Sequence, residues 1–227
     1  DIMEQTCGAR LTMNFIVPGG CMYDLHPDFV KRVKDFIVFF KSKLSEYDEM
    51  VTNNPIFQAR MQNVGSITKE NAISYGCSGP VARAAGVVCD VRKLSPYDVY
   101  SQVEFTEAIE KEGDCFARYK VRMKEMNESM RIIEQLIDNI PEGEFQAKTK
   151  AVLKLPKGDF YSNVETARGD FGVYIISEGG TTPYRIKFRS PGFCNLSALD
   201  HMARGNKIGD LVAIMGSLDL VIPDIDR

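Results

Sequence analysis

The residues able to do chemistry are few in kind: six cysteines, two histidines and a run of carboxylates near the C-terminus. Thiolates and imidazoles hold metals when they recur at close spacing, as in Cys-x-x-Cys or a pair of histidines within a few residues. Cys7, Cys21, Cys77, Cys89, Cys115 and Cys194 form no such pair, and His26 and His201 complete no ligand pattern with them. No metal or iron–sulfur cluster is therefore expected on this chain. The cysteines fit small, mostly buried thiols in a reducing cytosolic compartment. Two histidines in ordinary settings cannot support a Ser/His/Asp triad, and no phosphate-binding loop, nucleophile elbow or His-Glu-x-x-His pair is present. The stretch Ser217-Leu-Asp-Leu-Val-Ile-Pro-Asp-Ile-Asp-Arg227 alternates apolar and acidic residues. Read alone, it is a tail whose carboxylates cap helices or pair with arginines.

The elements that must position these groups are legible in the periodicity. Phe29, Val33, Phe36, Phe40 and Leu44 recur at helical spacing, with Pro27 suited to the first turn. A second helix follows Asn53-Asn54-Pro55, and Thr68 is placed to cap a third. Residues 76–98, broken by Gly76, Gly79, Pro80, Gly86 and Pro96, are expected to be irregular backbone. From Asp114 to Asn139 the residues Phe116, Tyr119, Met123, Met126, Met130, Ile133 and Ile137 form a seam for shallow-angle packing. Asp114 is expected to cap that helix. Arg10, Arg83, Asp90, Arg92 and Arg118 are expected in structural ion pairs. Short β runs follow at 163–166, 171–177 and 184–188, the last two separated by a Gly-Gly loop. Helix returns at 196–204 and 207–216. The fold class is mainly α with a small antiparallel β-sheet (α+β): residues 1–140 mostly helical, 141–190 a small β region, and 191–227 helix and tail.

At 227 residues, 44% of them hydrophobic and 26% charged, the chain can bury a core without staples. A net charge of −3 gives no nucleic-acid surface, and no apolar run reaches the length of a membrane span.

A longer series of motifs goes further. Gly8-Ala-Arg10 and Pro18-Gly-Gly20 are followed by Gly65-Ser-Ile-Thr68, Tyr75-Gly-Cys-Ser-Gly-Pro80 and Arg83-Ala-Ala-Gly86. Asp90-Val-Arg92, Pro96-Tyr-Asp-Val-Tyr100, Gly113-Asp114-Cys-Phe-Ala-Arg118-Tyr119 and Met130-Arg-Ile-Ile133 come next. Glu165-Thr-Ala-Arg-Gly-Asp-Phe-Gly-Val-Tyr174, Pro183-Tyr-Arg-Ile-Lys187, Ser190-Pro-Gly-Phe193 and Gly209-Asp-Leu-Val-Ala-Ile-Met-Gly-Ser-Leu-Asp219 lead to Asp224-Ile-Asp-Arg227. In that order the chain resembles the D subunit of respiratory complex I (NADH:quinone oxidoreductase), a relative of the nickel–iron hydrogenase large subunit. The resemblance covers essentially the whole chain.

It implies the C-terminal part of a hydrogenase-like fold, forming one wall of a quinone cavity, with no activity in isolation. The family's N-terminal half, with a histidine and a tyrosine at the quinone headgroup, is not matched. The resemblance further implies a role for Asp219 as catalytic carboxylate, Asp219, Val221 and Asp224 as quinone-binding residues, and Arg227 facing a partner's iron–sulfur cluster. Apolar neighbours such as Leu218 and Leu220 would favour the protonated carboxyl and suit it to passing protons. Quinone is the implied substrate, NAD enters only indirectly, and the cluster sits in a neighbouring subunit. Implied partners are that iron–sulfur subunit, a C-type partner and membrane-arm subunits, at the cytoplasmic face of a bacterial inner membrane. Two alternatives stay open: a membrane-bound hydrogenase large subunit and a non-catalytic scaffold. Hydrogenases of this type end in nickel-binding cysteines; this tail has none, and soft thiolates are what such a site needs. The segment between Gln146 and Tyr161 is short for NADH-linked members, which leaves ferredoxin as an alternative electron donor.

Overall fold

A computed structural model describes residues 1–150 and 152–226. Helix α1 (Ile2–Cys7) is followed by a two-stranded hairpin, β1 (Ile16–Val17) and β2 (Gly20–Cys21), and by the long helix α2 (Phe29–Tyr47). Pro27 lies outside α2 rather than in its first turn, because a tight turn precedes the helix: the Phe29 amide donates to the His26 carbonyl across it at 2.8 Å. After a single wide turn come α3 (Pro55–Met61), capped by Asn54, and α4 (Lys69–Ser74), capped by Thr68 as expected.

Residues 76–98 depart from the expected irregular loop. They hold two short helices, α5 (Gly79–Ala84) and α6 (Val91–Leu94), and all six residues of α5 are buried. The glycines and prolines there set helix ends and close contacts instead of exposure. Asp114 Oδ1 accepts the Ala117 amide at 2.7 Å and so starts α7 (Cys115–Leu136). The expected seam on α7 is divided between surroundings. Met130 and Ile137, just past its end, pack with Val33 and Ile37 of α2; Phe116 and Tyr119 form an aromatic group with Phe57. Ala117 and Val121, which the 3-4 pattern omits, are fully buried beside Ala84 and Ala108.

The antiparallel sheet is larger than the sequence pattern indicates: β3 (Gly158–Thr166), β4 (Gly169–Ser177) and β5 (Arg185–Arg189) in the order β3-β4-β5. Residues 141–157 add only a bridge between Gln146 and Gly20 among the described residues. The chain closes with α8 (Pro191–Ser197), α9 (Leu199–Ala203), α10 (Ile208–Leu218) and α11 (Ile222–Ile225). The main core joins Ile67, Val81, Cys115, Met202, Ile214 and Leu218, so α10 is fixed against α5, α7 and α9. Two glycines allow this closeness. A Cβ on Gly113 would lie 2.1 Å from the Ile67 carbonyl oxygen, and one on Gly79 would lie 2.4 Å from that of Arg168. No helix among the described residues is long and apolar enough to cross a membrane.

Candidate functional site

The tail is held at two of its carboxylates, those of Asp219 and Asp224. Asp219 ends α10 in the left-handed region (φ 53°), where a short polar side chain is tolerated. Arg168, in the turn between β3 and β4, donates from Nε to the Asp219 carbonyl at 2.9 Å and brings Nη2 to 3.3 Å from Asp219 Oδ2. Arg168 is itself placed by Asn195, whose amide donates to the Arg168 carbonyl at 3.3 Å. Asp219 is therefore a half-exposed carboxylate facing a guanidinium (side chain 44% exposed), and the expected apolar setting does not hold. The reason is Arg168, which the turn between β3 and β4 brings against the end of α10. Asp224 serves α8 instead: its Oδ2 accepts the Gly192 amide at 3.2 Å. Val221 stands between them, and its carbonyl accepts the Asp224 and Ile225 amides that begin α11. Arg227 lies outside the described residues.

A second polar group lies below the turn. Arg83 (side chain 2% exposed) reaches Glu125 at 2.7 Å, Glu165 at 2.8 Å and the Cys89 carbonyl at 2.9 Å. Asp90 binds Arg92 at 2.6 Å. Burial alone would make Arg83 easier to deprotonate, but the charges of Glu125, Glu165 and Asp90 outweigh it and hold the guanidinium above its ordinary value. Burial also works against the Asp90 carboxylate, yet Arg92 and Arg83 keep it below the usual range. For Glu165, burial prevails over Arg83 and raises it. Arg83 and Asp90 with Arg92 are thus the structural ion pairs expected of them. Arg10 pairs with Glu4 only at the surface. Arg118 has no carboxylate partner among the described residues: it is fully buried and donates to Ser217 Oγ and to the Gly113 and Gly65 carbonyls. An i-to-i+4 charge pattern gives no hint of such neutral partners.

Glu107 borders this group with Oε2 buried and without a hydrogen-bond partner among the described residues. Burial and the charge of Asp90 raise it above 4.5. Ionising Glu107 at neutral pH therefore costs folding stability, and below 4.5, where folded and unfolded forms are both protonated, that cost is absent. Glu107→Gln is expected to raise the urea midpoint at neutral pH and to leave it nearly unchanged below 4.5. An equal gain at both pH values would contradict this.

Sequence reasoning missed Arg122 and gave no separate role to Arg168 or Ser217, which it named only within the Thr-Ala-Arg-Gly-Asp motif and the tail stretch. Only Cys77 and Cys115 are buried, so the expectation of mostly buried thiols fails for the other four. Burial, aided by Cys194, pushes the Cys77 thiol up to about 11. No group of three or more His, Cys, Asp or Glu among the described residues could hold a metal ion. An apolar groove of about 880 Å³ lies away from the tail, between α1, α2 and the end of α7, lined by Phe29, Val33, Phe36, Ile133 and Ile137. None of the expected quinone residues line it.

The sequence profile of the respiratory-chain NADH dehydrogenase 49 kDa subunit matches residues 1–154 and 144–227. The chain is 53% identical over 227 residues to the C/D subunit of an NADH-quinone oxidoreductase of Bacteroides thetaiotaomicron, covering all of this chain and 43% of that protein. It is 45% identical over 226 residues to a D subunit of the same enzyme type in Desulforamulus reducens, covering 62% of it, and 42% identical to one in Clostridium beijerinckii, covering 61%. The chain thus spans from under half to about three fifths of the length of these relatives.

Proposed function

Since the chain belongs to the family of the 49 kDa subunit of respiratory-chain NADH dehydrogenase, with its hydrogenase large-subunit-like fold, we propose that it forms one wall of the quinone cavity in a complex I-type oxidoreductase. The observation that carries this reading is the likeness, along the whole of this chain, to part of relatives named as D or C/D subunits of NADH-quinone oxidoreductase. The arrangement of the tail supports it: a carboxylate fixed by a guanidinium at a turn, then apolar Leu220 and Val221. An iron–sulfur subunit beside this chain supplies electrons, originating from NADH as the relatives' names support. Within the chain, Asp219 passes a proton toward the headgroup, Arg168 fixes its carboxylate, and Val221 and Asp224 shape the wall. The C/D name of the Bacteroides relative supports a C-type partner. Membrane-arm subunits hold the assembly at the cytoplasmic face of the membrane.

The test is made in assembled complex. Asp219→Asn is expected to lower quinone reduction roughly a hundredfold, the low end of what a lost proton-transfer group costs. Val221→Met is expected to alter sensitivity to quinone-site inhibitors while electron input from NADH to an artificial acceptor persists. Wild-type quinone reduction and inhibitor sensitivity in both variants would leave the chain as a scaffold.

A further inference from the structure

The arginines around the tail outnumber their counter-charges. Helix α7 carries Arg118 and Arg122 one turn apart, and the end of α10 lies against it, joined by the 2.9 Å bond from Arg118 Nε to Ser217 Oγ. Arg168 holds the same helix end from the other side through Asp219. Arg118 spends its donors on neutral acceptors: Ser217, the Gly113 and Gly65 carbonyls, and Cys115 Sγ at 3.3 Å. The partial negative charge at the C-terminal end of α10 helps explain a cation there. It does not account for Arg122, whose one hydrogen bond among the described residues is to the Arg118 carbonyl at 3.2 Å. No carboxylate among them lies within 4.0 Å of Arg122, and its neighbour Glu125 is engaged by Arg83. Of the three guanidiniums, only Arg168 is in ion-pair contact with a carboxylate among the described residues, that of Asp219. Burial, reinforced by Arg118 and Arg168 and opposed by Asp219 and Glu125, holds Arg122 below the ordinary arginine value. Among the described residues, neither Arg118 nor Arg122 has a carboxylate in direct ion-pair contact.

We propose that Arg122 is an anion-binding residue of the tail site, placed to stabilise negative charge on the oxygen of a quinone headgroup as it is reduced. This rests on the quinone reading given above. Reduction delivers two electrons from the neighbouring subunit's iron–sulfur cluster and two protons from solvent, and no proton comes from Arg122. Where electrons arrive ahead of protons, charge collects on the headgroup oxygens. A fixed cation without its own counter-charge binds that state more strongly than the neutral quinone, and such a preference speeds the step.

The experiment uses assembled complex carrying Arg122→Gln or Arg122→Lys, with Val221→Met alongside. Arg122→Gln is expected to retain the iron–sulfur subunit and electron transfer from NADH to an artificial acceptor. Its kcat for quinone reduction should fall roughly tenfold to hundredfold, as on loss of one oxyanion-stabilising donor, with a much smaller change in KM. Arg122→Lys, which keeps the charge, should recover part of the rate. If the glutamine variant does not accumulate, the lysine variant carries the test, with a partial fall in kcat expected. Unchanged kcat in an assembled variant overturns the proposal while leaving the quinone reading intact, provided Val221→Met still alters inhibitor sensitivity. Loss of the iron–sulfur subunit from an Arg122 variant also overturns it, by assigning Arg122 to a partner's carboxylate. If Asp219→Asn and Val221→Met leave quinone reduction and inhibition unchanged, the quinone reading itself falls.

Discussion

Arg83→Met is expected to lower the unfolding free energy by about 3–5 kcal/mol, the range for removing one partner from a buried ionic group. The methionine fills much of the space but leaves Glu165 (side chain 5% exposed), Glu125 and the Cys89 carbonyl facing a side chain with nothing to donate. Arg83 also joins elements distant in sequence: α5, the Asp90 cap of α6, Glu125 on α7 and Glu165 on β3. Its loss therefore loosens the sheet from the helices. Urea unfolding measures the effect. Arg83→Met combined with Glu165→Gln should recover part of the loss, because the second change removes a stranded charge. If the double variant were less stable than the sum of its parts, uncompensated charge would not be the cause.

Gly113→Ala is expected to destabilise by roughly 3–5 kcal/mol, far more than the ordinary glycine-to-alanine change. Two effects add. The first is the left-handed backbone (φ +66°), which costs an alanine about 1 kcal/mol. The second is contact, since the new Cβ would lie 2.1 Å from the Ile67 carbonyl oxygen and backbone must move. That movement strains the bonds from Gly113 N to Ala84 O and from Ile67 N to Gly113 O, and the acceptor of Arg118 Nη1. Gly76 is the control: its φ is +67° and nothing lies within 4 Å of its Cβ position. Gly76→Ala should cost only the conformational part. Equal midpoints for the two variants in denaturant would show that the contact contributes nothing.

Much of the helical order was legible because burial on one face writes itself as periodicity: α2, α7 and the Thr68 and Asp114 caps are plain in the residues, while the Asn54 cap was read only as a break. The stretch 76–98 misled because glycine and proline mark both exposed loops and the closest contacts of a core. Gly79 is left-handed at the start of a buried helix, packed on Arg168 and Gly169, and local composition cannot distinguish that from a turn. The tail was found by resemblance, but its electrostatics were not. Leu218 and Leu220 implied an apolar setting for Asp219, whereas Arg168 arrives from a hairpin fifty-one residues away in sequence. Arg118 shows the same limit from the other side. A charged residue predicts a charged partner, and here the partners are carbonyls, a hydroxyl and a thiol.

The left-handed turn at Asp219 has a consequence for how this position can drift. Glycine would form the same helix end without the backbone penalty, so selection for stability alone favours replacing the aspartate. Selection for charge opposes it, because glycine leaves Arg168 without its carboxylate. Asparagine tolerates the same backbone and still lacks the charge. A folding optimum and an electrostatic optimum thus differ at one residue, and keeping aspartate there carries a small, continuing thermodynamic cost.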